Sequence, residues 1–156
     1  MRNLTMAAGV TALMLALGCT TPGGQRARLA VTLTGQQVVP GPGDPDATGT
    51  AEVRVDPGQG RVCWDLTVRQ TGAVTAAHIH RGAPGTSGPP AVPLTTPDAG
   101  GQSQGCTPVE PALLAELARQ AHDFYVNVHT AEHPQGAIRG QLRGGPIRRE
   151  RQPLER

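Results

Sequence analysis

The chain has 156 residues, room for one domain with appendages, and a net charge of +2 from 14 basic and 12 acidic side chains. Every basic residue is Arg, which excludes Schiff-base catalysis and a phosphate-binding P-loop, and so even a charge balance does not suit a nucleic-acid binder. Only Trp64, Phe124 and Tyr125 are aromatic, while Gly (21) and Pro (15) are abundant, so the core must come from Val, Leu, Ile and Ala in short strands joined by turns.

Residues 1–18 read as an export signal: Arg2 gives a positive start, and residues 6–17 are mostly apolar or small. That stretch is shorter than the roughly 20 residues a transmembrane helix needs. The run Ala16, Leu17, Gly18, Cys19 resembles a bacterial lipobox, with Ala16 standing where Leu is usual. Cleavage before Cys19 and its lipidation would leave residues 19–27 as a linker to a membrane anchor. Ordinary signal-peptide cleavage at the same bond would instead leave Cys19 as a free thiol. On either reading the mature domain is exported, facing the periplasm or the cell exterior. Cys63 and Cys106 are then an even pair, 43 positions apart, in an oxidising compartment. They read as a structural disulfide; two buried thiols, or a Cys share in a metal site, are the alternatives.

Strand periodicity begins at residues 27–35, where Leu29, Val31 and Leu33 alternate with Thr32 and Thr34. Residues 41–49 are a loop by composition. A second strand, 50–56, points Ala51, Val53 and Val55 inward, and the tight connection 57–60 leads to a third strand with Val62, Trp64, Leu66 and Val68 inward. Its other face carries Cys63, Asp65 and Thr67, which places the cysteine pair off the main core. A fourth strand spans 75–81 and a short one 91–94, while 97–105 reads as loop. Residues 110–121 form the one helical segment, with Pro111 in its first turn and Leu113, Leu114 and Leu117 on one face. The strand at 123–130 sets Phe124, Val126 and Val128 against Tyr125, Asn127 and His129; a turn at 133–136 leads to the last strand, 137–143. Residues 144–156 read as a disordered, Arg-rich tail. The whole predicts an all-β, antiparallel sandwich of seven or eight strands with one short helix.

The histidines carry the chemistry. His78 and His80 are two apart on a strand and so share a face, opposite Ala77 and Ile79. If Ile79 faces the core, both imidazoles stand on the outer surface, as does His129 opposite Val126 and Val128, with His133 in the turn that follows. Should the two strands be neighbours, the rings of His78, His80, His129 and His133 converge on one patch. A carboxylate-poor, all-imidazole site suits Cu(II) or Zn(II) rather than Ca or Mg. Tyr125 and Asn127 share the face of His129 and are candidates to orient it; Arg139 is a candidate neighbour that guides an anion. His122, after the helix, reads as a C-terminal interaction with the helix dipole. The alternative for the histidines is a purely structural, hydrogen-bonding role.

Two segments, AAHIHRGAPGTSGPPAVPL at 76–94 and FYVNVHTAEHPQGAIRGQL at 124–142, resemble the hallmark segments of the CHRD domain, a module named after chordin and found alone in many exported bacterial proteins. The resemblance covers about residues 28–143. It implies a Greek-key β-sandwich, and bacterial members often carry a cysteine pair placed like Cys63 and Cys106. The family often has Glu where this chain has Ala137, so any role of that carboxylate is absent here. Copper–zinc superoxide dismutases are more distantly similar: they too are Greek-key sandwiches, with an HVH strand and a later strand His sharing a copper. His78, His80 and His129 match that pattern in type and order, although no set of zinc-loop ligands stands between the two segments. The resulting expectation is an exported, copper-binding domain that protects against reactive oxygen at the cell envelope, with superoxide dismutation as an enzymatic extension. A metal-free adhesion or interaction module is the alternative, and the edge strands of such a sandwich offer a surface for a homodimer.

Overall fold

Alternation of apolar and polar side chains builds most of the molecule. In the computed structural model, which describes residues 25–146, strand β1 (Ala27–Thr34) buries Ala27, Leu29 and Leu33 and turns Arg28, Ala30 and Thr32 outward. Strand β2 (Thr48–Asp56) buries Ala51, Val53 and Val55, and β3 (Arg61–Arg69) buries Val62, Trp64, Leu66 and Val68. Between them, the Asp56 carboxylate accepts a hydrogen bond from the Gln59 N–H, and Gly60 takes a left-handed φ of 63° that closes the hairpin. Then come β4 (Val74–Arg81), β5 (Pro90–Leu94), β6 (Gln102–Pro108), helix α1 (Pro111–Arg119), β7 (Phe124–Thr130), β8 (Ile138–Gln141) and β9 (Arg143–Pro146).

The strands run in the order β5-β4-β7-β8-β1-β2-β3-β6, all antiparallel, with β9 also pairing β1. Between β8 and β1 only one residue pair, Thr34 with Arg139, is in register. The path bends at that weak joint into two four-stranded halves. One apolar cluster joins them, with Leu29, Leu33, Val53 and Leu66 from one half and Ile79, Val126, Val128 and Ile138 from the other. The chain crosses between halves from β3 to β4, back from β5 to β6, over again from β6 to β7 and back from β8 to β9, the connections of a Greek key. This is the all-β sandwich with one short helix that the periodicity predicts, in the form of a nearly closed sheet. Helix α1 buries Leu114, Leu117 and Ala118 beside β2 and β9.

Two segments differ from expectation. Part of the stretch read as loop, Gln102 to Gly105, belongs to β6, which pairs residue for residue with β3 and sets Cys106 directly opposite Cys63. The two are disulfide-bonded, which settles the alternatives for that pair. β6 has almost no aliphatic side chain of its own. Instead Trp64 lies over Gly105, where a Cβ would come within 2.7 Å of the indole, and donates its Nε1–H to Ser103 Oγ at 3.1 Å. At the other end, ordered strand continues past residue 143: Gly144 and Pro146, assigned to a disordered tail, pair in β9 with Leu29 and Ala27. The export segment, Cys19 and residues 147–156 lie outside the described residues.

Candidate metal centre

Strands β4 and β7 are neighbours, with His78 opposite Asn127, His80 opposite Tyr125 and Ala76 opposite His129. Ala77, Ile79, Val126 and Val128 are buried in the core, so His78, His80 and His129 all project from the other face. Their ring centroids are 5.4 Å apart for His78–His80, 5.4 Å for His78–His129 and 5.7 Å for His80–His129. One ligand nitrogen from each lies within 4.8 Å of the others. An ion with metal–nitrogen bonds of about 2 Å spans nitrogens about 3–4 Å apart, a gap that side-chain rotation closes.

That face is roofed over part of its area, where alternation alone suggests open solvent, and His78 and His129 are half-buried. His80 is 8% exposed, Asn127 4%, and Tyr125 and Arg139 2% each. One cover is the segment 82–89, which folds back over the sheet. His80 Nδ1 meets the Gly88 carbonyl at 2.9 Å, the Tyr125 hydroxyl accepts from the Gly88 N–H at 3.1 Å, and Gln141 Nε2 donates to the Gly82 carbonyl at 2.7 Å. The other cover is the turn after β7, where His129 Nδ1 meets the Pro134 carbonyl and Asn127 Nδ2 donates to the Gln135 carbonyl, both at 3.0 Å.

A carbonyl only accepts, so Nδ1 carries a proton in His80 and His129, which leaves Nε2 as the nitrogen that can offer a lone pair in each. Asn127 Nδ2 lies 3.4 Å from the Nε2 of His129 and holds that ring from the side. His80 Nε2 and His78 Nδ1 are buried without a hydrogen-bond partner among the described residues. Burial is the main force pushing both His78 and His80 below the usual imidazole range, reinforced by their histidine neighbours; in His80 the Gly88 hydrogen bond opposes it in part. Both rings are therefore neutral at pH 7, the state in which imidazole binds a metal.

A family model for the CHRD domain matches residues 29–142, a span that holds β2 to β8 and all five histidines. The chain belongs to the CHRD-domain family. No curated protein and no solved structure matches it. Within this CHRD domain the histidine triad is assembled wholly by the β4–β7 register. His133 is not part of that group of three. Its backbone closes the turn instead, with its N–H donating to Thr130 Oγ1 at 3.1 Å and its carbonyl accepting from Thr130 and Gly136, and it lines a separate open cleft with Pro40, Gly41 and Pro42. His122 lies beyond the end of α1, in a short 3-10 turn beside Asp123.

Tyr125 stacks on His80 at 5.0 Å between centroids, and the Arg139 guanidinium carbon lies 3.6 Å from the Tyr125 ring. Arg139 is thus neither a surface residue nor an ion-paired one. Ala137 is fully buried where many CHRD domains have Glu, so this site contains no carboxylate from that position. The groups that sequence reasoning missed are carbonyls, those of Gly88, Pro134 and Gln135, together with the Gln141 amide. Backbone acceptors have no side-chain signature; the only trace was the Gly- and Pro-rich composition of the two segments that supply them.

Proposed function

We propose that this CHRD-domain protein is an exported metal-binding module that holds copper, with zinc as the alternative, through His78, His80 and His129, and that it protects the cell envelope against reactive oxygen. The observation that carries this reading is the pair of buried, unpartnered imidazole nitrogens, His78 Nδ1 and His80 Nε2. A buried polar atom without a partner costs about 1–3 kcal/mol, and these two belong to rings that converge with His129. A metal-free role for the histidines leaves that cost unexplained. Three neutral nitrogens with no carboxylate among them favour copper or zinc over harder cations, and Cu(II) stands highest in the divalent series. Bound copper would supply one-electron chemistry. The protein supplies fixed ring orientations, lone pairs kept free of protons, and loops that limit water.

Export and lipid anchoring at Cys19 follow from the reading of residues 1–19, and the Cys63–Cys106 disulfide fits an oxidising compartment. Titration of purified protein with Cu(II) and Zn(II) tests the centre. Saturation near one equivalent is expected, weakened at least roughly a hundredfold in His80→Ala, since even loss of an orienting neighbour costs 10–100-fold. No saturable binding by the native protein would remove the reading. Superoxide turnover by the copper-loaded form that disappears in His129→Ala would extend binding to catalysis.

A further inference from the structure

Arg139 combines a full charge with almost complete burial. No carboxylate lies within ion-pair distance of it among the described residues. Its Nη2 makes only long contacts, 3.4 Å to the Ala83 carbonyl and 3.3 Å to Gln141 Oε1, and its Nη1 is buried with no partner. The guanidinium instead leans on Tyr125, whose other neighbour in the stack is His80, tilted only 17° from it. A positive charge therefore sits within about 9 Å of the His80 ring, buried with it under the same covering segments. The adjacent Arg81 does not compete for this role, because it pairs with Glu116.

We infer that Arg139 sets the charge preference of the histidine centre, favouring a monovalent ion such as Cu(I) over Cu(II) or Zn(II). The inference rests on the metal-binding reading above. Repulsion between the guanidinium and a bound ion grows with the ion's charge, and three neutral imidazoles bring no negative charge to offset it. Arg stays protonated even when buried, so the bias is permanent.

The test compares native protein with Arg139→Met, which removes the charge but keeps an apolar stem, and Arg139→Lys, which keeps the charge; Arg139→Gln replaces the Met variant if that one does not fold. Two quantities are read: the Cu(II)/Cu(I) midpoint potential, and the ratio of Ag(I) to Zn(II) affinity as a redox-independent probe. Loss of the charge should shift both toward the divalent ion roughly tenfold, which for a one-electron couple lowers the potential by about 59 mV. Arg139→Lys should stay within about twofold of native. Unchanged ratios in a charge-removed variant that still binds one equivalent would overturn the inference and leave the metal centre standing. An equal shift in Arg139→Lys would also overturn it, since packing and not charge would then be the cause. Absence of metal binding by the native protein would remove the centre and this inference together.

Discussion

The two halves of the sandwich obey the same two-residue alternation, yet their outer faces have opposite characters. On β1-β2-β3 the outward residues include Arg28, Glu52, Arg54 and Asp65, which pair with one another in a solvent-washed ladder. On β4-β7-β8 they include His78, His80, Tyr125, Asn127, His129 and Arg139, roofed by two loops and in part unpaired. Exposed charges that satisfy each other contribute little and demand nothing more. Buried polar groups without partners cost stability, and a fold that keeps them has a use for them. The difference lies in the loops. Nothing in the strands distinguishes a decorative outer face from a site until chain folds back across it.

The largest effect tests what holds the plain half. Cys63→Ser with Cys106→Ser removes a cross-strand link spanning 43 residues and should cost about 4 kcal/mol of stability by loop-closure entropy, measured by urea denaturation. Metal affinity should remain within about threefold, because the link lies on the half opposite the histidines. A comparable loss of metal affinity would show that the halves are not separable.

That separation also explains what could be read in advance. Strands with aliphatic residues at every second position, such as β2 and β3, declare themselves, and so does the shared face of His78 and His80. The β4–β7 neighbourhood was a condition and not a reading, since 84–105 contributes nothing local to it. Strand β6 was hidden because Trp64, a residue of another strand, supplies its apolar contact. His133 reads as a ligand by spacing, but the turn leaves it outside the group of three that converges. The burial of Arg139 was not legible, because alternation says which side a residue is on and not what covers that side.

A smaller effect probes the roof of the site. Gly136 has φ of 141°, a region L side chains avoid, and a Cβ there would lie 2.5 Å from Asn127 Oδ1. Gly136→Ala should cost about 1–3 kcal/mol and, by moving Asn127 off His129, weaken metal binding about 10–100-fold. Gly58→Ala, at a turn on the other half where a Cβ meets nothing nearer than 3.4 Å, is the control and should leave metal affinity unchanged. Equal metal affinity in the two variants would show that the turn does not orient the ligands.

Acid should weaken the roofed half selectively. His78 and His80 lie below the ordinary imidazole range in the folded protein, while in the unfolded chain both titrate near 6.5. Above about pH 6.5 both states are neutral and no difference arises. As pH falls below that value the unfolded chain takes up protons that the folded protein refuses, so stability declines, and it levels off once the folded rings also protonate. The His129 and Arg139 charges act on His80 in the same direction as burial, so none of these neighbours reverses the sign. Denaturation midpoints between pH 7.5 and 5 should fall for the metal-free protein and fall less for His78→Gln with His80→Gln. Parallel curves would mean that other groups carry the acid response.

The smallest effect completes the contrast. Arg54→Met deletes a charge that touches both Glu52 and Asp65, so a count of ion pairs would rank it among the more damaging changes. Its side chain is 45% exposed and that of Asp65 52%, so water replaces most of what is lost. The melting temperature should move by less than about 3 °C, and metal affinity not at all. Arg139, with only long polar contacts and no ion pair among the described residues, should prove far more consequential, because solvent cannot reach the guanidinium to compensate for anything. If Arg54→Met instead destabilised the protein more than Gly136→Ala did, burial would not be what separates the two faces, and the ladder would need a role of its own.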